Sequence, residues 1–337
     1  MRNRFLYGTM GVAVISALLS GCGSSAQKNS SAQTETVQEI SAESEAETAA
    51  ETAAAKTAGE ESIITNGGET IALSSLEHQT EDSESAVYYT SEISPQAMLD
   101  SYAALGEGLT GEHIAVKLST GEPPASNYLD PDLIADLVHQ VNGTIVENNT
   151  AYGGQRASTA MHYQVAEDHG FTAIADFVVL DENGSVSLPV EGGTRLSENL
   201  VGAHFPEYDG YLVPSHFKGH AMAGFGGAIK NISIGLGSQE GKCLIHTAGE
   251  SRTSPWDGEQ DPFTESMAEA GKSVVDALAG NILYISVMNH LSVDCDCNGN
   301  PAEPDMHDIG ILASADPVAL DQACVVLVYA SKDDTAS

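Results

Sequence analysis

Basic residues are scarce in this 337-residue sequence: 13 Lys and Arg stand against 48 Asp and Glu, for a net charge of −35. That deficit excludes a nucleic-acid partner, which needs clustered Lys and Arg along a phosphate backbone, and it argues against direct adhesion to anionic lipid. Aromatic side chains make up 6% of the chain, with a single Trp. None of them lies between residues 23 and 86, where 13 acids face only Lys28 and Lys56 among Ser, Ala, Thr and Glu. Such a composition cannot bury enough apolar surface to offset chain entropy, so 23–86 reads as a disordered tether. The mostly apolar stretch from Phe5 to Leu19 is shorter than the about 20 residues of a membrane-spanning helix. Among five cysteines there is no Cys-x-x-Cys, which excludes the closed structural zinc pattern. No internal repeat is visible.

The N-terminus has the parts of a secretory signal: Arg2 and Arg4, then the apolar core. It closes on Leu19-Ser20-Gly21-Cys22, which resembles the lipobox of bacterial lipoproteins. That resemblance implies cleavage before Cys22, a lipid on its thiol, and a protein held on the extracytoplasmic face of the cell membrane. Arg2 and Arg4 are not adjacent, so nothing points to the twin-arginine route for folded cargo, and the chain is expected to cross unfolded. The expected organisation is a signal peptide over 1–22, the tether over 23–86, and a folded body over 87–337. Four cysteines then remain. Cys295 and Cys297 are too close for an easy mutual bridge, and Cys324, in the apolar run from Ala323 to Tyr329, reads as a buried inert thiol.

Within the body the elements alternate, as a parallel sheet with crossover helices requires. Ser94-Pro95 opens a helix to about Leu105, Asp130-Pro131 one to about Val141, and Pro317 the last one. Further helices are expected over 158–169 and 264–278. Strands are expected over 113–118, 144–147, 173–180, 186–190, 210–213, 282–287 and 309–313, with 173–180 and 186–190 flanking a turn at Glu182-Asn183-Gly184. The fold class is α/β, a mixed or mainly parallel sheet with flanking helices.

Chemistry concentrates after the strands. Residues 215–231 carry His216, Lys218, His220 and Lys230 among glycines that let the backbone approach a ligand. His216 and His220, four apart, would share a helix face and hold a metal. Cys243 and His246 have the Cys-x-x-His spacing of two ligands on one ion. Cys295-Asp296-Cys297 suits a soft metal or redox work. Residues 148–156 precede a helix, so their amides suit an anion, and Arg156 suits a bidentate grip on a carboxylate. Lys117, Thr120 and Glu122 border the same crevice. At each cluster the alternative is structural: a glycine-rich turn, a solvated charge, or a histidine bonded to backbone.

Four stretches together, Lys117 to Glu122, Asn149 to Arg156, His216 to Asn231 and Asp308 to Pro317, resemble the domain of unknown function 362 family, whose members are often labelled iron–sulfur centre proteins. The resemblance covers about Ala86 to Tyr329. The ferredoxin-type cysteine runs of many members are missing, so a classical iron–sulfur cluster is not expected. Relatives continue well beyond the last helix, so a truncated C-terminus is expected at Ser337. A more distant resemblance links His220-x-x-Ala223-Gly224-Phe225-x-Gly227-x-x-Lys230 and the later His246 to the nickel-pincer lactate racemases. It implies that Lys230 anchors a nickel–pyridinium cofactor and that His246 is a nickel ligand. The upstream racemase motif keeps its arginine here as Arg156 but has Gln155 in place of a catalytic histidine, which removes one of the two acid–base groups that racemisation needs.

Three readings remain open, the last a structural surface protein with a relict site. In the first, the protein is an enzyme for a small carboxylate, with His220, Lys230 and Arg156 catalytic and Lys230, Gly226, Gly227 and Asn231 binding a cofactor. In the second, it is a non-catalytic surface lipoprotein that binds a ligand or a transition metal through His216, His220, Cys243, His246, Cys295 and Cys297. In either of these two the expected partners are the membrane, through Cys22, and a small molecule or metal.

Overall fold

The computed structural model describes residues 3–7, 62–76 and 85–333; Cys22 and most of the expected tether lie outside these. Fourteen strands are described. They are β1 (Asn3–Tyr7), a hairpin of β2 (Ser62–Ile64) and β3 (Thr70–Ala72), β4 (Ser85–Thr90), β5 (Ile114–Lys117), β6 (Gly143–Glu147) and β7 (Phe177–Val179), followed by a ribbon of β8 (Ser185–Pro189) and β9 (Glu198–Gly202). Then come β10 (Gly210–His216), a second ribbon of β11 (Lys218–His220) and β12 (Gly224–Gly226), β13 (Ile282–Met288) and β14 (Gly310–Ser314). Seven α-helices accompany them: α1 (Pro95–Ala104), α2 (Pro131–Gln140), α3 (Thr159–Asp168), α4 (Ala228–Ser233), α5 (Gln239–His246), α6 (Gln260–Leu278) and α7 (Pro317–Ala330).

Seven strands of the body form one mixed, mostly parallel sheet in the order β4-β14-β13-β10-β5-β6-β7, and β1 lies parallel against β4 as an eighth. Only β14 runs against its neighbours. Helices cover both faces. One core joins the sheet to α1 and α2 through Met98, Ile134, Leu137 and Val138. The other joins it to α4, α6 and α7 through Ile232, Val274, Leu320 and Leu327. Burial on both faces is why β10 and β13 are buried along their full length, as parallel strands under two helical layers must be. The proline starts behave as expected. Pro95, Pro131 and Pro317 each sit at the first turn, and Ser94, Asp130 and Asp316 accept from the free helix amides.

The chain runs outward from β5 to β6 and β7, then returns to place β10 on the other side of β5. The strand order therefore reverses between β5 and β10, and the crevice beyond their carboxyl ends is where such sheets bind ligands.

Three expectations are corrected. Residues 62–76, expected within the tether, form a hairpin that buries Ile63, Ile71, Leu73 and Leu76 in the core shared with α6 and α7. Asn66 and Gly67 donate to the carbonyls of Ile309 and Asp308, which fixes the hairpin to the body. Asn66-Gly67-Gly68 is a hairpin turn signal that the acidic composition around it obscures. The strand expected over 173–180 shrinks to Phe177–Val179 behind a 3-10 turn at Phe171–Ala173. Residues 185–189 pair with 198–202 instead of with it; their alternating exposure suits a one-sided ribbon. Trp256 is 58% exposed and outside the crevice lining.

Candidate functional site

At the carboxyl ends of β5, β6 and β10 lies a cavity of about 100 Å³. Lys117 ends β5, Glu147 ends β6, and Ser215 and His216 end β10; α4 supplies Lys230 and Asn231, α5 supplies Lys242 and His246, and the loop after β13 supplies Cys295, Asp296 and Cys297.

Two buried carboxylates organise the walls. Glu147 accepts from the amide and hydroxyl of Thr120 (2.8 and 2.6 Å), from His162 Nε2 (3.1 Å) and from Arg156 Nη1 (3.0 Å). Burial works against the Glu147 carboxylate, but Arg156, His162 and Lys117 outweigh it and hold its pKa well below the ordinary value. Asp296 accepts from His216 Nδ1 (2.9 Å) and Lys218 Nζ (2.7 Å). Here too burial is outweighed, by Lys218 and His216, and the carboxyl stays ionised. The Asp296 carbonyl accepts from the Glu122 amide (2.8 Å) and Arg156 Nη2 (3.4 Å), which joins the two hubs.

Arg156, expected to grip a substrate carboxylate, is only 2% exposed and already committed. It donates to Glu122 (3.2 Å), Ser119 (3.2 Å) and Glu147 (3.0 Å). It braces the wall alongside Thr120 and Glu122, the residues expected to border the same crevice.

The hydrogen-bond partners assign the histidines three different states. His216 faces two acceptors, Asp296 through Nδ1 and the Asn289 carbonyl through Nε2 (2.7 Å), so it carries both protons as an imidazolium. That removes it from the expected metal ligands, since no lone pair remains. His216 and His220 also share no helix face: the first ends β10 and the second lies in β11. His220 Nδ1 accepts from the amides of Met222 and Ala223 (3.2 and 3.0 Å), so its proton sits on Nε2. Burial and the nearby Lys230, Lys218 and His246 lower its pKa to about 3, so the ring is neutral. His246 is the reverse. Its Nδ1 donates to the Lys242 carbonyl (2.7 Å), which leaves a bare lone pair on Nε2, and its ring stacks on Phe263 at 4.9 Å. Burial, with Lys230 and Lys242, lowers its pKa to about 4. Of these three, His246 alone has the tautomer of a metal ligand.

Four lysines line the cavity. Lys218 is neutralised by Asp296. Lys117, 1% exposed, donates to the Leu118 carbonyl (2.7 Å) and to Asn231 Oδ1 (2.9 Å). Lys242 donates to the Gly237 carbonyl (2.5 Å). Lys230 Nζ makes no hydrogen bond among the described residues. Burial lowers Lys117 and Lys230 to about 7 and Lys242 to about 8, with neighbouring cations adding to the effect.

Gly226, Gly227 and Asn231, expected to bind a cofactor, line the cavity. A Cβ on Gly227 would stand 2.3 Å from Asp321 Oδ1, and Asp321 accepts from the first amides of α4, those of Ala228 and Ile229 (2.7 and 2.9 Å). Gly227 is therefore required by that cap. Asn231 ties Lys117 to Ser215, to which it donates at 3.0 Å.

Cys243 is a free thiol, buried outside the cavity lining, and burial raises its pKa. Cys295 and Cys297 are joined in a disulfide, with Cα atoms 5.2 Å apart, against the expectation that they sit too close to bridge. The donor atoms of His220, Cys295 and Cys297 lie within 4.8 Å of one another, a grouping compatible with a transition metal once the sulfurs are reduced and His220 Nδ1 is released from the Met222 and Ala223 amides. Reasoning from sequence did not single out Glu147 or His162; a charged residue ending the apolar strand Gly143–Glu147 was the available signal.

The solved structures similar to this chain include the lactate racemase apoprotein from Thermoanaerobacterium thermosaccharolyticum, with 16% identity and a TM-score of 0.43 over 78% of this chain and 61% of that one. A protein from Thermotoga maritima has 13% identity and a TM-score of 0.42 over 68% of this chain and 57% of that one. The chain thus spans about three fifths of each. Among curated proteins none matches. A family model does match, over residues 114–326: the one described as Domain of unknown function (DUF362).

Proposed function

The chain belongs to that family, and we propose that it is a lipid-anchored extracytoplasmic protein whose crevice binds a small carboxylate. The observation that carries the binding is a concentration of charge. Of the 13 Lys and Arg in a chain of net charge −35, five line one cavity: Lys117, Arg156, Lys218, Lys230 and Lys242. Only Glu147 and Asp296 face them from the lining, and both are already saturated with donors. An ammonium offers three donors. Lys117 uses two and Lys242 one, so donors remain for an anion. Binding it would offset the penalty that lowers the lysines' proton affinity.

The cavity sets the size. About 100 Å³ lies well below the roughly 300–1,000 Å³ of pockets for drug-sized ligands, so a molecule of a few heavy atoms fits inside, whereas a nickel–pyridinium nucleotide would have to extend through the open side. No step is assigned to that cofactor. The carboxylate role expected of Arg156 passes to Lys117 and Lys242. The reactive groups left are the Lys230 amine, the His220 Nε2–H and the His246 Nε2 lone pair.

A second reading has one observation in its favour, the His220–Cys295–Cys297 grouping. Thiolates bind soft metals, so this site would exist in reduced protein only.

The test is a thermal-shift panel on purified protein with acetate, lactate, pyruvate, phosphate and zinc, with and without reductant. Carboxylates should raise the melting temperature without reductant. Stabilisation by phosphate alone, or by zinc in reductant alone, would replace this reading. For the anchor, palmitate labelling in cells should disappear with Cys22→Ala; unchanged labelling would refute it. Cleavage before Cys22 would also remove β1 and leave β4 as the sheet edge.

A further inference from the structure

Among the lysines of the cavity, one differs in what its nitrogen touches. Lys218 is an ammonium held by Asp296, and Lys117 and Lys242 donate to oxygen acceptors. The Lys230 amine lines the cavity with no hydrogen-bond partner among the described residues, and it stands among Lys218, Arg156 and Lys242. An unpaired, half-buried amine surrounded by cations is the arrangement that makes lysine a nucleophile toward carbonyl carbon. The groups beside it suit a carbonyl compound that also bears a carboxylate. Lys117 and Lys242 keep spare donors for the carboxylate, and His220 presents an N–H because its Nδ1 is fixed as an acceptor.

We propose that Lys230 forms a Schiff base with the carbonyl carbon of a small 2-oxo acid. This rests on the carboxylate-binding reading and extends it to a substrate class and a covalent step. The neutral amine nitrogen attacks the carbonyl carbon, and a C–N bond forms as the C–O π bond opens to a carbinolamine. The oxygen then leaves as water with the two protons that the nitrogen gives up, and a C=N bond remains. No oxidant, reductant or metal is needed. Protonation of that nitrogen gives an iminium that the neighbouring Asp296 carboxylate stabilises; Asp296 is the anion that acts on Lys230.

The experiment is reductive trapping on the full chain. Protein is incubated at neutral pH with pyruvate and cyanoborohydride, digested, and mapped by mass spectrometry. The reduced adduct is expected on Lys230, formed on the order of a thousandfold faster than on the exposed Lys272. That ratio follows from free-amine fractions at a pKa of about 7 against an ordinary lysine. Excess lactate, which has the carboxylate but no carbonyl, should block it. Lys230→Arg should abolish it, with folding checked by circular dichroism; the wild-type map and the lactate block stand even if that variant misfolds. Lys230 unmodified while carboxylates still bind would overturn the Schiff base and leave the binding site standing. Labelling spread evenly over surface lysines would also overturn it. Absence of any carboxylate binding would remove both.

Discussion

Glu147→Gln should cost the fold about 3 kcal/mol. The carboxylate is buried and accepts four hydrogen bonds, two from Thr120 and one each from His162 and Arg156. A glutamine keeps the shape but replaces one acceptor with an NH₂ that has only donors to face. In one orientation it opposes Arg156, in the other Thr120 and His162. Removing one partner of a buried ion pair costs about 3–5 kcal/mol, because the remaining charge is stranded. Glu122 still touches the guanidinium at 3.2 Å, which places the expected loss at the lower end. At roughly 2–4 °C per kcal/mol for a domain of this size, the melting temperature should fall by about 6–12 °C. Paired thermal and urea melts on wild type and variant would measure it. A fall under about 2 °C, with an unchanged urea midpoint, would refute the claim that this carboxylate holds Arg156 and the crevice wall in place.

Other outcomes follow from the same contacts. Asp296→Asn should destabilise by a similar amount in the same melts, since it strands Lys218 and weakens the acceptor that holds His216 Nδ1–H. Ile71→Ala should cost about 2–5 kcal/mol by opening a core cavity, whereas a freely solvated tether would show no change. Ligand-free protein should gain stability between pH 7 and 9. Lys117, Lys230 and Lys242 titrate at about 7, 7 and 8 when folded but near 10.5 when unfolded. Across that window the unfolded chain binds more protons, and stability rises with pH; a flat or falling melting temperature would contradict the burial of these amines.

Much of the scaffold was legible because it is written in local signals. The Ser94-Pro95, Asp130-Pro131 and Asp316-Pro317 starts carry their own caps, and the apolar run Ile282–Met288 suits only a strand covered on both faces. The place of the crevice was legible for the same reason, since His216, Asn148 and the 295–297 loop each follow a strand. Helices α4 and α5 were hidden: Gly224, Gly226, Gly227, Gly235 and Gly237 dilute the helical pattern, and α4 is set by the buried Asp321, 93 positions away from Ala228. The protonation states were not legible at all. Whether His216, His220 or His246 has a lone pair depends on partners such as Asn289 and Asp296, which sequence spacing does not place. The disulfide and the commitment of Arg156 to Glu122 and Glu147 are tertiary facts of the same kind.

The central claim, that a cavity of under-protonated lysines awaits a carboxylate, is tested most directly by proton uptake on binding. Calorimetric titration of the protein with lactate at pH 8, repeated in buffers of different ionisation enthalpy, gives the number of protons exchanged. A bound carboxylate should raise the affinity of Lys117, Lys230 and Lys242 for protons, so net uptake is expected, with binding that weakens as the pH rises toward 9. Binding with no uptake, or with proton release, would contradict the account.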